Sequence, residues 1–166
     1  MKFTIIACIN NKKSLGSEGQ LLYHIKNDLA NFKRITKNQV VIYGRKTLES
    51  FPGAKTLPNR ENIILTRDAS YKPENAVICH SVEELLNTVK NYPDKELYVI
   101  GGSSVYQQFL DLGLIDTMIL TEVDDDFSGD ALFPEFDINE WKVKFETDWI
   151  TQNTQYPYRY KVFKKI

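Results

Sequence analysis

The chain has few of the residues that would tie it to several common kinds of chemistry. Two cysteines and two histidines occur in 166 residues, and Cys8, Cys79, His24 and His80 share no metal-ligand spacing, so no metal centre is expected. Both cysteines sit in strand-like runs, where a free buried thiol is the ordinary state; this points away from a disulfide framework and towards a reducing cytoplasm. Long hydrophobic runs are missing as well. The longest, Phe3 to Ile9, falls far short of the roughly 20 residues a membrane helix needs and stops at Asn10, Asn11, Lys12 and Lys13. It reads as a buried strand, and no small-residue cleavage site follows that would make it a secretory signal. Neither charge sign dominates: Lys and Arg number 21 against 22 Asp and Glu. No global field therefore favours nucleic acid or an anionic membrane, and any anion site has to be local. Without GxSxG, CxxC or a Ser-His-Asp order, nucleophilic catalysis has no candidate. Without GxGxxG, a Rossmann assignment loses its main support.

What is present is the make-up of a folded α/β unit. Apolar residues make up 42% and charged residues 26% of the chain, enough for one sizeable core in a domain of the usual size, roughly 100 to 200 residues. Residues 1–166 are accordingly read as a single domain. Strand-like runs at 3–9, 39–43, 62–65, 76–79 and 96–100 alternate with helical patterns at 28–35, 82–90 and 103–111, which predicts an α/β sheet. The early strands are rich in Val and Ile with little alternation, as in a largely parallel sheet covered on both faces. Beyond Asp111, segments 118–123, 141–149 and 156–163 follow without helices and predict antiparallel strands at one edge. The wider gaps, 10–23 and 124–139, read as loops, either functional lids or tolerated surface insertions.

Asp28 is the most informative residue. In the segment EGQLLYHIKNDLANFKR, Ile25, Leu29, Phe32 and Thr36 recur at helical spacing, and Asp28 lies three after Ile25 and four before Phe32. Its carboxylate is expected to face the core with no basic residue on the same stripe. That is costly unless the group is neutralised or meets a cationic or hydrogen-bond-donating ligand. A plainer reading makes Asn27 the N-cap and Asp28 a complement to the helix dipole. Further along, strand 97–100 runs into Gly101-Gly102 and a helix near Ser103-Ser104, which suits a phosphate or merely tight packing. Strand 40–43 ends at Gly44-Arg45-Lys46-Thr47, letters that resemble a phosphate loop, but Gln39 stands where a Walker loop needs glycine. An ATPase is excluded on that ground. Arg45 and Arg67 both follow strands, at the edge where open α/β sheets bind ligands; two guanidinium groups suit a dinucleotide with an additional phosphate, or are simply solvated. Arg60, after the Leu57-Pro58-Asn59 turn, is either a carboxylate clamp or exposed.

Taken in order, EGQLLYHIKNDLANFKR (18–34), VIYGRKTLESF (41–51), LPNRENIILTR (57–67), LYVIGGSSVYQQF (97–109) and LTEVDDDFSGDALFP (120–134) resemble dihydrofolate reductases of the bacterial chromosomal type across nearly the whole chain. The resemblance implies an eight-stranded, mostly parallel sheet with antiparallel C-terminal strands and four flanking helices. It also implies NADPH as hydride donor, 7,8-dihydrofolate as acceptor, antifolates as inhibitors, and a monomer that engages neither nucleic acid nor membrane. By the same resemblance Asp28 is the active-site acid, supported by Thr121, Tyr23 and Leu21. Ile6, Ala7, Leu29, Phe32, Lys33, Phe51, Leu57, Ile100 and Tyr106 would line the substrate pocket, with Arg60 on the glutamate carboxylate. The cofactor would lie along Ala7, Leu15, Gly16, Gly44, Arg45, Lys46, Thr47, Leu65, Thr66, Arg67 and His80, and along Ile100, Gly101, Gly102, Ser103, Ser104, Val105, Tyr106 and Asp130. In that family the Gly101-Gly102 bond is cis.

This chain departs from the family pattern in several places. Leu21-Leu22-Tyr23 replaces the usual Leu-Pro-Trp of the mobile loop, and Lys26 replaces a proline, changes expected to loosen the lid. Tyr23 keeps a polar tip that could hold a water. Ala131 replaces a common Thr, and Ser104 lacks a cation that some relatives place beside the cofactor phosphates. Leu22 and Tyr106 are expected to weaken diaminopyrimidine antifolates. The competing readings are a riboflavin-pathway pyrimidine reductase of the same architecture and a catalytically idle nucleotide-binding module.

Overall fold

In a computed structural model, which describes residues 1–166, the Val- and Ile-rich runs form strands. The elements in chain order are β1 (Phe3–Asn10), β2 (Ser14–Ser17), β3 (Gln20–Leu21), α1 (Lys26–Thr36), β4 (Val40–Gly44), α2 (Arg45–Ser50), β5 (Glu61–Leu65), β6 (Val77–Cys79), α3 (Val82–Thr88), β7 (Leu97–Gly101), α4 (Ser103–Asp111), β8 (Ile115–Val123), β9 (Ala131–Leu132), β10 (Trp141–Glu146) and β11 (Tyr158–Lys165). Eight strands form one sheet in the order β10-β11-β8-β1-β7-β4-β5-β6. All pairings are parallel except the two made by β11, which is antiparallel to both β8 and β10. The expected antiparallel edge is therefore produced by β11 alone running against its neighbours.

Burial follows from how the helices cover this sheet. Val40 through Tyr43 of the central strand β4 are all buried, because both of its faces are covered. In β1 the alternation is visible: Phe3, Ile5, Ala7 and Ile9 are buried, whereas Ile6 and Cys8 on the other face are half-exposed. The buried set packs on α4, where Phe3 meets Phe109 edge-on at 5.1 Å. On the opposite face Val41, Tyr43, Leu48 and Ile64 form a smaller core under α2. The half-exposed face of β1 is thus left for something other than core packing.

Three boundaries differ from the sequence reading. Helix α1 begins at Lys26 with Ile25 in the capping position, so Asn27 is inside the helix. The segment expected to run to Trp149 leaves the sheet after Glu146. The largest difference is that the two presumed loops pair with each other: β2 lies between β3 and β9 in a second, three-stranded sheet. These strands are two to four residues long and have no apolar alternation to announce them. Close backbone approach makes the pairing possible. A side chain on Gly129 would overlap the Gly16 carbonyl, and one on Gly16 would sit 2.7 Å from the Gln20 carbonyl oxygen.

Asn10, 5% exposed at the end of β1, ties the two loops to the main sheet. Its Oδ1 accepts from the amides of Lys12 and Ser14 at 2.9 and 3.0 Å, and its Nδ2 donates to the Phe127 carbonyl at 2.8 Å and to the Tyr23 hydroxyl at 3.0 Å. Removing such a side chain leaves several buried groups unpaired, each at a cost of about 1–3 kcal/mol. Asn10→Ala should therefore lower the unfolding free energy by about 2 kcal/mol or more in a guanidinium titration. A change below about 0.5 kcal/mol, the size usual for a surface substitution, would show that the junction is not structural.

Candidate active site

The carboxyl ends of β1, β4, β5 and β7 meet at one edge of the sheet, the place where open α/β sheets hold ligands. Asp28 hangs over the half-exposed face of β1 and β8 from the first turn of α1. Its Oδ1 accepts from Thr121 Oγ1 of β8 at 2.7 Å, a contact between residues 93 apart in the chain. Thr121 itself is buried. Burial pushes the Asp28 pKa above the ordinary carboxylate value, and the Thr121 and Tyr160 hydroxyls pull it back. The expectation that Asp28 faces the core needs correction. The residue is half-exposed and Leu29 beside it is 43% exposed, and only Thr36 of the α1 stripe is buried. The stripe borders an open cleft, because β1 presents Ile6 and Cys8 there without a helix closing over them.

Apolar side chains surround that opening. Ile6, Phe32, Phe51, Leu57 and Ile100 are all half-exposed, while the side chain of Ala7 belongs to the opposite, core face of β1. Lys33 is exposed on α1. Arg60 lies across the end of α1, donating to Thr36 Oγ1 at 3.3 Å and to the Pro58 carbonyl at 3.0 Å; burial holds its pKa below the usual guanidinium value. Its turn is built by Asn62, which sequence reasoning missed. Asn62 accepts from the Tyr43 hydroxyl and the Leu57 amide, and donates to the Leu57 and Arg60 carbonyls, all within 2.7–3.1 Å. The signal was a polar residue at the start of an otherwise apolar buried strand.

The lid side is tied by polar contacts between distant loops. The Tyr23 hydroxyl donates to Asp125 at 2.6 Å and accepts from Asn10 at 3.0 Å. Its tip is thus committed to the two loops. Asp130 donates its amide to the Gly16 carbonyl at 3.1 Å and accepts the Glu18 amide at 3.0 Å. Leu15 packs against the main core, whereas Leu21 is 48% exposed. Tyr106 is 3% exposed on α4, its ring 5.2 Å from that of Phe133, and its hydroxyl donates to the Ile6 carbonyl at 2.8 Å.

A second group of residues fits an elongated anionic ligand. Thr47 Oγ1 lies 3.5 Å from where a Cβ would sit on either Gly101 or Gly102, which brings the Gly44–Thr47 turn against the start of α4. The Gly101-Gly102 bond is cis. Ser103 Oγ, at the first position of α4, is buried and has no hydrogen-bond partner; Val105 is buried behind it and Ser104 is exposed. Arg67 and Lys46 are exposed. The half-exposed Leu65 ends β5, and the Thr66 carbonyl after it meets His80 Nδ1 at 3.0 Å. Arg45 is engaged already, with Glu49 and Asp68 both at 2.8 Å and Tyr71 beneath its guanidinium at 4.4 Å.

A family model for dihydrofolate reductase matches residues 2–165. The chain belongs to the dihydrofolate reductase family. It is 30% identical to a dihydrofolate reductase of Staphylococcus haemolyticus over all of this chain and 97% of that one. Its identity to the enzyme of Bacillus subtilis is 31%, over 98% of this chain and 94% of that one. Among solved structures it is similar to a dihydrofolate reductase from Enterococcus faecalis complexed with NADP(H) and RAB-propyl, with a TM-score of 0.86, 30% identity and coverage of 99% and 96%. These matches do not favour the riboflavin-pathway reductase or the idle module.

Asp28 in this family member should cost stability at neutral pH. A carboxylate whose folded pKa is raised binds protons more readily in the folded state, so stability falls as pH rises from the unfolded value towards the raised one. Asp28→Asn should stabilise the protein by roughly 0.5–2 kcal/mol at pH 7, and the gap should narrow as pH falls through the carboxylate range. Thermal unfolding at both pH values checks this. A less stable variant at pH 7 would contradict it.

Proposed function

We propose that the protein reduces 7,8-dihydrofolate to 5,6,7,8-tetrahydrofolate, with a hydride delivered to C6 and a proton taken up at N5 of the pterin, converting NADPH to NADP+. The observation that carries this is the half-buried Asp28 carboxylate, bonded to Thr121 and bordered by apolar side chains, with no basic residue among its partners. The pterin 2-amino group and N3 offer two parallel donors, which a carboxylate in an apolar setting matches bidentately. Asp28 fixes the ring and favours protonation electrostatically, and a water admitted by the lid carries the proton to N5. Tyr23, whose hydroxyl holds Asp125, positions the lid with Leu21. Ile6, Leu29, Phe32, Phe51, Leu57 and Ile100 enclose the pterin and the aminobenzoyl group, and the remaining N–H groups of Arg60 clamp the glutamate carboxylate.

The residues present fit NADPH, which supplies the hydride when bound. The unpartnered Ser103 hydroxyl and the first amides of α4 suit its pyrophosphate, joined by Gly44, Lys46 and Thr47. Arg67 and Thr66, with His80 nearby, would hold the 2′-phosphate, and Arg45 would join them by exchanging an exposed carboxylate partner, a contact worth little in solvent. We further read residues 1–166 as one reductase domain acting as a monomer in the cytoplasm. Its two unpaired cysteines suit a reducing compartment.

Replacing the anchoring carboxylate tests the reading: Asp28→Asn should lower kcat/KM for dihydrofolate by about 10²-fold or more while NADPH affinity stays within a few fold. A variant as active as the natural chain would remove Asp28 from the mechanism. Tyr106 tests the inhibitor side, since its hydroxyl donates to the carbonyl of Ile6, whose side chain lies on the cleft face. Tyr106→Phe should tighten diaminopyrimidine inhibition by roughly 3- to 10-fold, read as an inhibition constant; an unchanged or weaker one would contradict it.

A further inference from the structure

A row of side chains crosses three strands beneath Asp28. Cys8 of β1 stands opposite Thr121 of β8, and Thr121 stands opposite Tyr160 of β11. Residues paired across a ladder project to the same face, and Thr121 reaches Asp28 on that face, so all three lie on the α1 side of the sheet. Thr121 makes the direct hydrogen bond to Asp28, and Tyr160, paired with Thr121 on the neighbouring strand, presents its phenol on the same face from the β11 side. Three contacts fix Tyr160 in that position. The Tyr160 amide donates to Thr147 Oγ1 at 3.0 Å, its carbonyl accepts the Thr147 amide at 3.0 Å, and its ring meets Tyr158 edge-on at 5.8 Å.

We propose that Tyr160 is a positioning residue for the reductase reaction: its phenol is the second donor to Asp28 and, with Thr121, holds the carboxylate in the orientation that a bidentate ligand requires. This rests on Asp28 as the pterin anchor. A buried carboxylate with one donor swings about that single contact, whereas two donors from adjacent strands fix both its position and its plane.

The groups around Asp28 are thiol and hydroxyl groups. Cys8 comes from β1, Thr121 from β8, Tyr160 with Tyr158 behind it from β11, and Tyr23 from the lid. Burial pushes the Cys8 thiol up, and the Asp28 charge adds to it. Burial does the same to the phenols of Tyr23 and Tyr160, helped by Asp125 in the first case and Asp28 in the second. These groups stay neutral, and Tyr160 acts on Asp28 as a donor to its charged form, which opposes protonation.

Tyr160→Phe keeps the ring and removes the donor. Two readouts on the full chain test it. One is the Asp28 carboxyl titration in the free protein, followed by carbon NMR; the other is the pH profile of kcat/KM for dihydrofolate, which reports groups of the free enzyme. The expected result is an upward move of the Asp28 midpoint by about 0.5–1 pH unit, an equal move of the acid limb of the profile, and a KM that rises more than kcat falls at neutral pH. Superimposable Asp28 titrations would overturn the proposal. A shifted titration in a protein that does not turn over dihydrofolate would uphold the coupling of Tyr160 to Asp28 and overturn the substrate reading on which its catalytic role rests.

Discussion

The hydrogen bond from Thr121 to Asp28 joins the first turn of α1 to the middle of the sheet, and the arrangement of the cleft depends on it. A carboxylate half removed from water is tolerated where hydroxyl groups donate to its charged form. Thr121 meets that need from β8, and β8 is held between β1 and β11. The same contact fixes the first turn of α1 beside the cleft, where Ile6, Phe32 and Ile100 stay half-exposed. A binding cleft in this protein is therefore a region where packing is left incomplete around a charge, with the cost carried by the well-packed layer on the other face of β1.

The two paired loops are held to each other chiefly by polar groups. Asn10, Ser14, Tyr23, Asp125 and Asp130 join the two loops to each other, while Leu15, Phe133 and Phe136 seat them on the main core. Such junctions are easier to open than a core, and loops that must admit a ligand are drawn from the low-stability end of a structure. The Tyr23 hydroxyl restrains this segment by gripping Asp125.

The sheet and most of the site were legible in the sequence because both are written in local patterns. The β4 run of Val and Ile predicts a doubly covered strand, and Asp28 stands out because its helical stripe is otherwise apolar. The Gly101-Gly102 junction is marked by its glycines. What could not be read are pairings between residues far apart whose types are individually ordinary. Strands β2, β3 and β9 carry no alternation. Asp125 is one of three consecutive acids, and nothing local shows that it meets Tyr23 across 102 residues. Asn62 and Tyr160 become meaningful only once the register places one under the Leu57–Arg60 turn and the other opposite Thr121. Helical spacing alone could not reveal the open cleft beside Leu29, since a stripe facing a ligand and a stripe facing a core have the same spacing; only the family resemblance pointed to a pocket there.

The most direct test of the central claim follows the transferred hydrogen. Incubating the protein with dihydrofolate and NADPH deuterated at the reactive C4 position, then identifying the product by mass and by NMR, asks whether this cleft carries out the reduction. The account predicts tetrahydrofolate with the label at C6, formed in step with NADP+. NADPH that binds without being oxidised, or a product without label at C6, would contradict it.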